Sequence, residues 1–392
     1  MSIKIAVIAP GNLPIPCIRG GAIETLFTHL LDENEKYKQF QFTVFCYGNK
    51  TYDRVVANYK NSKFFFFVYS WKDSLYNKFW AVIYKLTKKK ILARMALAKR
   101  ATKEIRKNLY DYILIEGNFH QVNQLYNLGI PILYHLHTDI LNYREPCCAM
   151  IVHKCHKILV ISDFLKQQIN EVTGSSENIV LYKNAIDINC FKPVEINCDA
   201  LRGQLGIPQN DKIAIYCGRI VPIKGVFEMV KAFAEANISD LSLMIVGGSN
   251  FADSYLSEYE KKIKEYIHEN RLKVFFTGYI PQNQLPKYYA LADFSICPSI
   301  CNEAAGLVII EAHSCTLPVI ASRKGGIPEY VFVDGSILVD CNENFIQNLS
   351  QAIKQMYVEF ENKRELLINS NYRDEYSLVN YYRNFQNIVQ NI

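Results

Sequence analysis

Short, continuous apolar runs recur along the chain, separated by longer stretches in which apolar residues return every three or four positions. The first run, Lys4–Ala9, is followed by Gly11 and the loop Arg19-Gly20-Gly21. A second of the same kind, Lys212–Tyr216, is followed by Gly218-Arg219 and a loop with Lys224-Gly225. Behind the first come Phe42–Cys46, Tyr112–Glu116, Ile132–His135 and Lys157–Ile161. Behind the second come Ser242–Val246, Val274–Thr277, Phe294–Cys297, Pro318–Ala321 and Ser336–Val339. Uninterrupted apolar strands alternating with amphipathic helices predict parallel sheets covered on both faces.

Two such series predict an α/β protein of two doubly wound, Rossmann-like domains over residues 1–190 and 191–370. The linker is expected near Asp187–Asp211, where Pro193, Asn197, Gly203, Gly206 and Pro208 interrupt the pattern. Residues 371–392, rich in Tyr, Asn and Gln, predict a helical tail. Ligands of open α/β sheets bind beyond the carboxyl ends of the strands, so two facing domains would create one interdomain cleft. The length of 392 residues agrees with two domains rather than one core.

Composition is that of an ordinary globular protein, with 49% apolar residues. No run reaches the roughly 20 apolar residues of a membrane-spanning helix, and the first residues read as a buried strand and loop rather than a secretory signal. The protein is therefore expected to stay in the cytoplasm. Its 12 cysteines follow no disulfide spacing and read as reduced, mostly buried hydrophobes. Cys147, Cys148, His153, Cys155 and His156 are zinc-competent types, but a single helix there could not turn four of them onto one ion, so no metal is expected.

Charge divides the chain. Residues 1–192 hold 26 Lys and Arg against 15 Asp and Glu, a balance of +11, while residues 193–392 balance at −5. Residues 50–110 alone carry 16 basic and three acidic side chains, so an anionic partner is expected to meet the first half.

The most informative segment runs from Asn302 to Ala312 and should form a loop and then a helix. Glu303 and Glu311, eight apart, would lie about two turns apart on nearly one helical face. Gly306 between them lets backbone approach a ligand, and the unpaired amides of the first helical turn suit a phosphate. Two surface glutamates on an amphipathic helix would show the same spacing. Other loops at the same sheet edge add to the pattern. Ser322–Glu329 brings Gly325-Gly326, while Arg219 and Lys224 could clamp a diphosphate as a fork and a point charge. Gly20-Gly21 holds the corresponding edge of the first domain.

With these residues in place, the chain resembles the family-four glycosyltransferases, the glycosyl transferases group 1 of GT-B fold. The resemblance runs from Arg19–Glu24 through Gly218–Gly225 to Glu329, and the glutamate pair with seven residues between is that family's signature. It implies that Glu303 bonds a hydroxyl of the donor sugar and Glu311 the ribose hydroxyls of the nucleotide. It places the amides of Ala305 and Gly306 toward the sugar and those of Leu307 and Val308 at the distal phosphate. Arg219 and Lys224 would neutralise the leaving diphosphate, with Gly20-Gly21 closing over it. His137 matches the family histidine near the transferred sugar, while His135 reads as a strand residue. Asn184–Asp187 matches the turn into the linker. The family usually has a bulky pair after the first glutamate; here Ala304-Ala305 stand there, and no particular donor sugar is carried over.

The implied activity is retaining transfer from a nucleoside-diphosphate sugar of UDP or dTDP type, with no cofactor and no metal, since there is no Asp-x-Asp motif to hold one. Front-face attack, in which the leaving phosphate takes the acceptor proton, fits better than Glu303 as a nucleophile. The acceptor would be a saccharide or lipid-linked, in surface polysaccharide or glycoconjugate assembly. Between Lys85 and Lys107 ten Lys or Arg accompany a single acid, Glu104, and both tryptophans, Trp71 and Trp80, precede them. Residues 71–107 thus suit an anionic membrane surface and a peripheral location at its inner face, or only a solvated basic helix. Nucleic acid is not expected, for no recognition motif accompanies the charge. An inactive nucleotide-sugar-binding protein would share the fold. An NAD-dependent oxidoreductase would need Gly-x-Gly-x-x-Gly after the first strand, which Ala9–Pro14 does not supply.

Overall fold

The computed structural model describes residues 2–11, 13–88, 93–248 and 257–392. The chain forms two compact units, Met1–Asn184 with Leu378–Ile392, and Ala185–Ser377. The expected tail is therefore divided, its last helix belonging to the first unit.

In the first unit the strands are β1 (Ile3–Ile8), β2 (Phe40–Tyr47), β3 (Ser62–Phe67), β4 (Tyr112–Glu116), β5 (Ile132–Leu136), β6 (Lys157–Val160) and β7 (Ile179–Leu181). They form one parallel sheet in the order β3-β2-β1-β4-β5-β6-β7. The central strands are apolar and buried on both faces, as helices on each side require. Helix Leu378–Gln390 returns to this sheet: Tyr382 donates to Asn34 at 2.9 Å, and Phe385 packs edge-on to Phe40 at 5.3 Å.

The second unit holds β8 (Lys212–Cys217), β9 (Leu241–Val246), β10 (Val274–Gly278), β11 (Phe294–Cys297), β12 (Val319–Ser322) and β13 (Ser336–Val339). All neighbours are parallel, in the order β10-β9-β8-β11-β12-β13. Alternation along β8 sends Ile213 and Ile215 to the layer of Ile309 and Ala312, and Ala214 and Tyr216 to the layer of Met229 and Phe233. The chain winds one way from β8 to β9 and β10, and the other way through β11 to β13. The loops after β8 and β11 therefore meet at a switch point, where such sheets bind ligands.

Strands β3 and β7 join the expected set. Residues 187–211 are not a plain linker, since they contain a helix, Cys198–Leu205, capped by the Asn197 side chain. The basic stretch is two helices, Trp71–Leu86 and Ala96–Ile105, with Lys88 in a left-handed conformation after the first. Lys89, Lys90, Ile91 and Leu92 lie outside the described residues. Among the described residues no helix is long and apolar enough to cross a membrane.

Candidate active site

Gly225 joins the two central loops of the second unit. Its φ is +67°, and a Cβ there would sit 2.0 Å from the carbonyl oxygen of Pro298. Only glycine lets the loop after β8 touch the loop after β11 this closely. The amide of Ile300 donates to the Ile223 carbonyl at 3.1 Å, fastening the two loops again.

Across this seam Lys224 reaches Glu303, Nζ to Oε1 at 2.5 Å. Ser299 donates to the same oxygen at 2.7 Å, and Ser322 in turn holds the Ser299 carbonyl at 2.5 Å. Behind Glu303 lies Gly325, at φ +55°, where a Cβ would fall 2.2 Å from the Glu303 carbonyl oxygen. The next amide, Gly326, donates to that oxygen at 2.7 Å.

Helix Leu307–Ser314 begins only at Leu307. This corrects the expectation that Glu303 and Glu311 share one helical face: Glu303 is a loop residue positioned by Lys224 and Ser299, and only Glu311 is helical. The Gly306 carbonyl accepts the amides of Ile309 and Ile310. The amides of Leu307 and Val308 have no backbone partner among the described residues and point out of the helix start. Ala304 and Ala305 are half-buried in the loop before it.

Glu311 is buried two turns in, with Gln282 donating to one carboxylate oxygen at 3.1 Å and Tyr289 to the other at 3.2 Å. Burial pushes its carboxyl up to about 7, outweighing the two donors that favour the ionised form. Arg219 is exposed, its carbonyl held by the Tyr216 hydroxyl at 2.7 Å. Among the described residues its guanidinium has no partner, so of the two expected clamp residues only Lys224 is internally paired.

In the first unit Gly20 and Gly21 both have positive φ, and Gly21 precedes helix Ala22–Tyr37. A Cβ on Gly21 would lie 2.1 Å from the Glu24 carboxylate, which folds back against it. Burial raises the Glu24 carboxyl, countered by a backbone hydrogen bond.

Glu116 and His135 are partners in register at the carboxyl ends of β4 and β5, and His137 follows one residue beyond β5. Glu116 Oε2 lies 2.8 Å from His137 Nε2 and 3.1 Å from His135 Nδ1, all three residues being buried. Burial would raise the Glu116 carboxyl, but the two imidazoles outweigh it and hold it at about 2. Burial and then His135 lower His137 to about 4, so its ring is neutral at pH 7. The hydrogen-bond network thus assigns the Nε2 proton of His137 to Glu116 and leaves Nδ1 as an acceptor. Among the described residues this trio is the group whose ligand-type atoms, all within 4.8 Å, could hold a metal ion. Of the cysteine cluster, Cys148 and His153 lie on the helix Cys148–Lys154, with Cys147 before it and Cys155 and His156 beyond it.

Glu116 beside His137 in the first unit, and Gln282, Tyr289 and Ser299 beside Glu311 and Glu303 in the second, lie outside the motifs. For Glu116 a partial signal was present: an acid ends one expected strand, and the next expected strand runs into His135-Leu136-His137.

Residues 198–374 match the family described as Glycosyl transferases group 1. The putative glycosyltransferase YtcC of Bacillus subtilis (strain 168) is 24% identical over 377 residues, covering 91% of this chain and 84% of that protein. The lipopolysaccharide 1,2-N-acetylglucosaminetransferase of Salmonella typhimurium is 28% identical over 249 residues, 60% of this chain and 62% of that one. The structure of Anabaena HepE in complex with UDP-glucose superimposes with a TM-score of 0.73 at 20% identity, covering 100% of each chain, a likeness of fold. With two Rossmann-like parallel sheets the chain has the GT-B fold, and its second unit carries the match to the glycosyl transferases group 1.

Proposed function

We propose that the protein transfers a sugar, with retention of anomeric configuration, from a UDP- or dTDP-type nucleotide sugar to a saccharide or lipid-linked acceptor. The observation that carries this reading is the seam at the switch point of the second sheet, where Gly225 lets two loops touch and Lys224 pairs with Glu303 just ahead of helix Leu307–Ser314. In this reading Glu311 accepts the ribose hydroxyls and Glu303 a sugar hydroxyl. Arg219, Lys224 and the amides of Leu307 and Val308 take the diphosphate, while those of Ala305 and Gly306 meet the sugar. Gly20-Gly21 and His137 serve the reaction from the carboxyl edge of the first sheet.

The chemistry follows from where charge grows. As the bond from the anomeric carbon to the phosphate oxygen breaks, negative charge gathers on the diphosphate and positive charge on the sugar. Fixed cations and amides stabilise the former without reorganising. The acceptor hydroxyl bonds the anomeric carbon from the face the phosphate leaves, and its proton passes to the leaving phosphate oxygen. Neither a metal nor another cofactor has a part in this scheme.

The +11 balance of residues 1–192 supports a peripheral location at the inner face of a membrane, and with it an acceptor in cell-surface polysaccharide or glycoconjugate assembly. The relatives' printed activities, among them lipopolysaccharide sugar transfer, point the same way. The test is to incubate the protein with a panel of UDP- and dTDP-sugars and follow release of nucleoside diphosphate, then assign the product anomer by NMR. Release from at least one donor with the anomer retained is expected. Release from none would sink the activity, and an inverted product would sink retention.

A further inference from the structure

The Trp71–Leu86 helix is turned the wrong way for a helix that merely rests on a core. At about 100° per residue, Trp71, Val82, Leu75, Leu86 and Phe79 fall within one arc of about 80°. They are 69, 53, 56, 77 and 60% exposed, respectively. Exposed Lys78 and Lys85 border the arc on one side and Lys72 on the other.

The opposite side is polar and occupied. Asp73 is buried and ion-paired to Arg100 at 2.7 Å. Asn77 accepts the Ala96 amide at 2.8 Å, and Tyr84 donates to Glu145. Trp80 lies half-buried under the Arg94 guanidinium, 4.6 Å from its ring. Polar contacts hold the helix to its unit, and the aliphatic side is left in water. A contiguous apolar stripe of this kind marks a binding surface.

Charge selects the occupant. With 16 basic and three acidic side chains in residues 50–110, two copies meeting on this face would set lysines against lysines. Anionic lipid headgroups would instead pair with them. The helix is also preformed, since Ser70 and Asp73 make a reciprocal capping box at its start, so binding need not pay for folding it.

We infer that this helix is an interfacial anchor that lies flat in an anionic bilayer. Trp71, Leu75, Phe79, Val82 and Leu86 enter the acyl boundary, and Lys72, Lys78 and Lys85 extend to the phosphates. The inference rests on the peripheral location proposed above and adds insertion to charge attraction.

Both tryptophans of the protein lie on this helix, on opposite sides, and they provide the test. The full-length Trp80→Phe protein reports Trp71 alone, and Trp71→Phe reports Trp80 alone. Each is mixed with vesicles of phosphatidylglycerol and phosphatidylcholine, or of phosphatidylcholine only. On anionic vesicles Trp71 emission should shift to the blue and be quenched by brominated acyl chains, while Trp80 changes little. Leu75→Ser, Phe79→Ser and Val82→Ser together should weaken vesicle affinity about tenfold or more, with an unchanged melting temperature and unchanged donor hydrolysis. Salt-reversible binding with no Trp71 shift, indifferent to the triple variant, would overturn insertion and leave peripheral attachment standing. No binding to anionic vesicles would overturn both and leave donor hydrolysis to be judged by itself. A blue shift that needs protein concentration rather than lipid would give the stripe to a second copy and overturn the inference.

Discussion

Lys224 and Arg219 differ in what they do before a ligand arrives. Lys224 is held against Glu303, whereas Arg219 is exposed and free among the described residues. Arg219→Ala and Lys224→Ala should each lower turnover by about 2–4 kcal/mol of transition-state stabilisation. Only Lys224→Ala should also disturb Glu303, leaving the Ser299 hydroxyl and the weak Cys301 thiol as its side-chain donors, and so raise KM for the donor sugar. Steady-state kinetics with intact circular dichroism checks this, and near-normal turnover in both variants would remove the clamp from the account. Glu311 adds a pH signature. Its folded pKa of about 7 stands above its ordinary 4.5, so the folded protein keeps this proton between those values while the unfolded chain has lost it. Stability owed to this residue therefore falls as pH rises from 4.5 to about 7, and stays low above. Glu311→Gln should accordingly be more stable than the wild type at pH 8, by up to about 3 kcal/mol, the gain vanishing below pH 4.5. It should bind UDP more weakly, and the rise of wild-type affinity through pH 7 should be absent. Thermal melts and titration calorimetry across pH read both, and a glutamine variant that binds UDP as well as the wild type would dismiss Glu311 as the ribose ligand.

At the level of elements, the site depends on loops whose backbones touch, and glycines decide whether they can. Gly325 and Gly206 both have positive φ, +55° and +74°, yet their surroundings differ. A Cβ at Gly206 meets only Phe275, at 3.9 Å, whereas at Gly325 it meets the Glu303 carbonyl oxygen at 2.2 Å. Gly206→Ala should thus lose only the left-handed strain, about 1–2 kcal/mol, and retain its kinetics. Gly325→Ala should lose more stability and at least tenfold in kcat/KM, because the loop carrying Glu303 must move (about 1.4 kcal/mol per tenfold). Equal kinetics for the two would show that the loop position is unimportant. The same elements separate what the sequence discloses from what it hides. Buried parallel strands are continuous apolar runs, so β1, β4, β8 and β11 stand out. Strand β3 sits at a sheet edge, half-buried and inside a basic stretch, and β7 is an edge strand of three residues, so neither stands out. Glu303, Lys224 and Glu311 lie in local motifs and are legible. Gln282, Tyr289 and Glu116 enter through contacts 19 to 29 positions away in the chain, fixed by sheet register and helix packing, which no local pattern encodes. The outward stripe of Trp71–Leu86 is hidden for a related reason. The spacing reveals an apolar side, and only the contacts of Asp73, Asn77 and Tyr84 reveal that it faces away from the protein.

Over the whole molecule, charge and ligand types are distributed in a way that bears on metal dependence. The half of the chain that holds the proposed donor loops balances at −5, yet two of its cations, Arg219 and Lys224, lie on the loop after β8, at the sheet's switch point. In the proposed scheme they do what a divalent ion would do beside a diphosphate, neutralising its growing charge. The described group able to ligate a metal is in the other unit, and two of its three ligands are imidazoles. Magnesium requires hard oxygen ligands in near-octahedral array, so this trio suits it poorly. Moreover, the Glu116 oxygen nearest the two rings is engaged by both at hydrogen-bond distances of 2.8 and 3.1 Å. Sugar transfer and donor hydrolysis should therefore persist in excess chelator, with kcat changed less than about twofold, on the expectation that fixed protein charges stabilise the leaving group. Glu116→Gln should instead act through His137: an amide is a weaker partner for its Nε2 proton, so the ring loses its fixed tautomer. The variant should then lower kcat in a pH-dependent manner and show no response to added magnesium. Complete loss of activity on chelation, restored by magnesium, would overturn the metal-free scheme and require an ion beside Arg219 and Lys224.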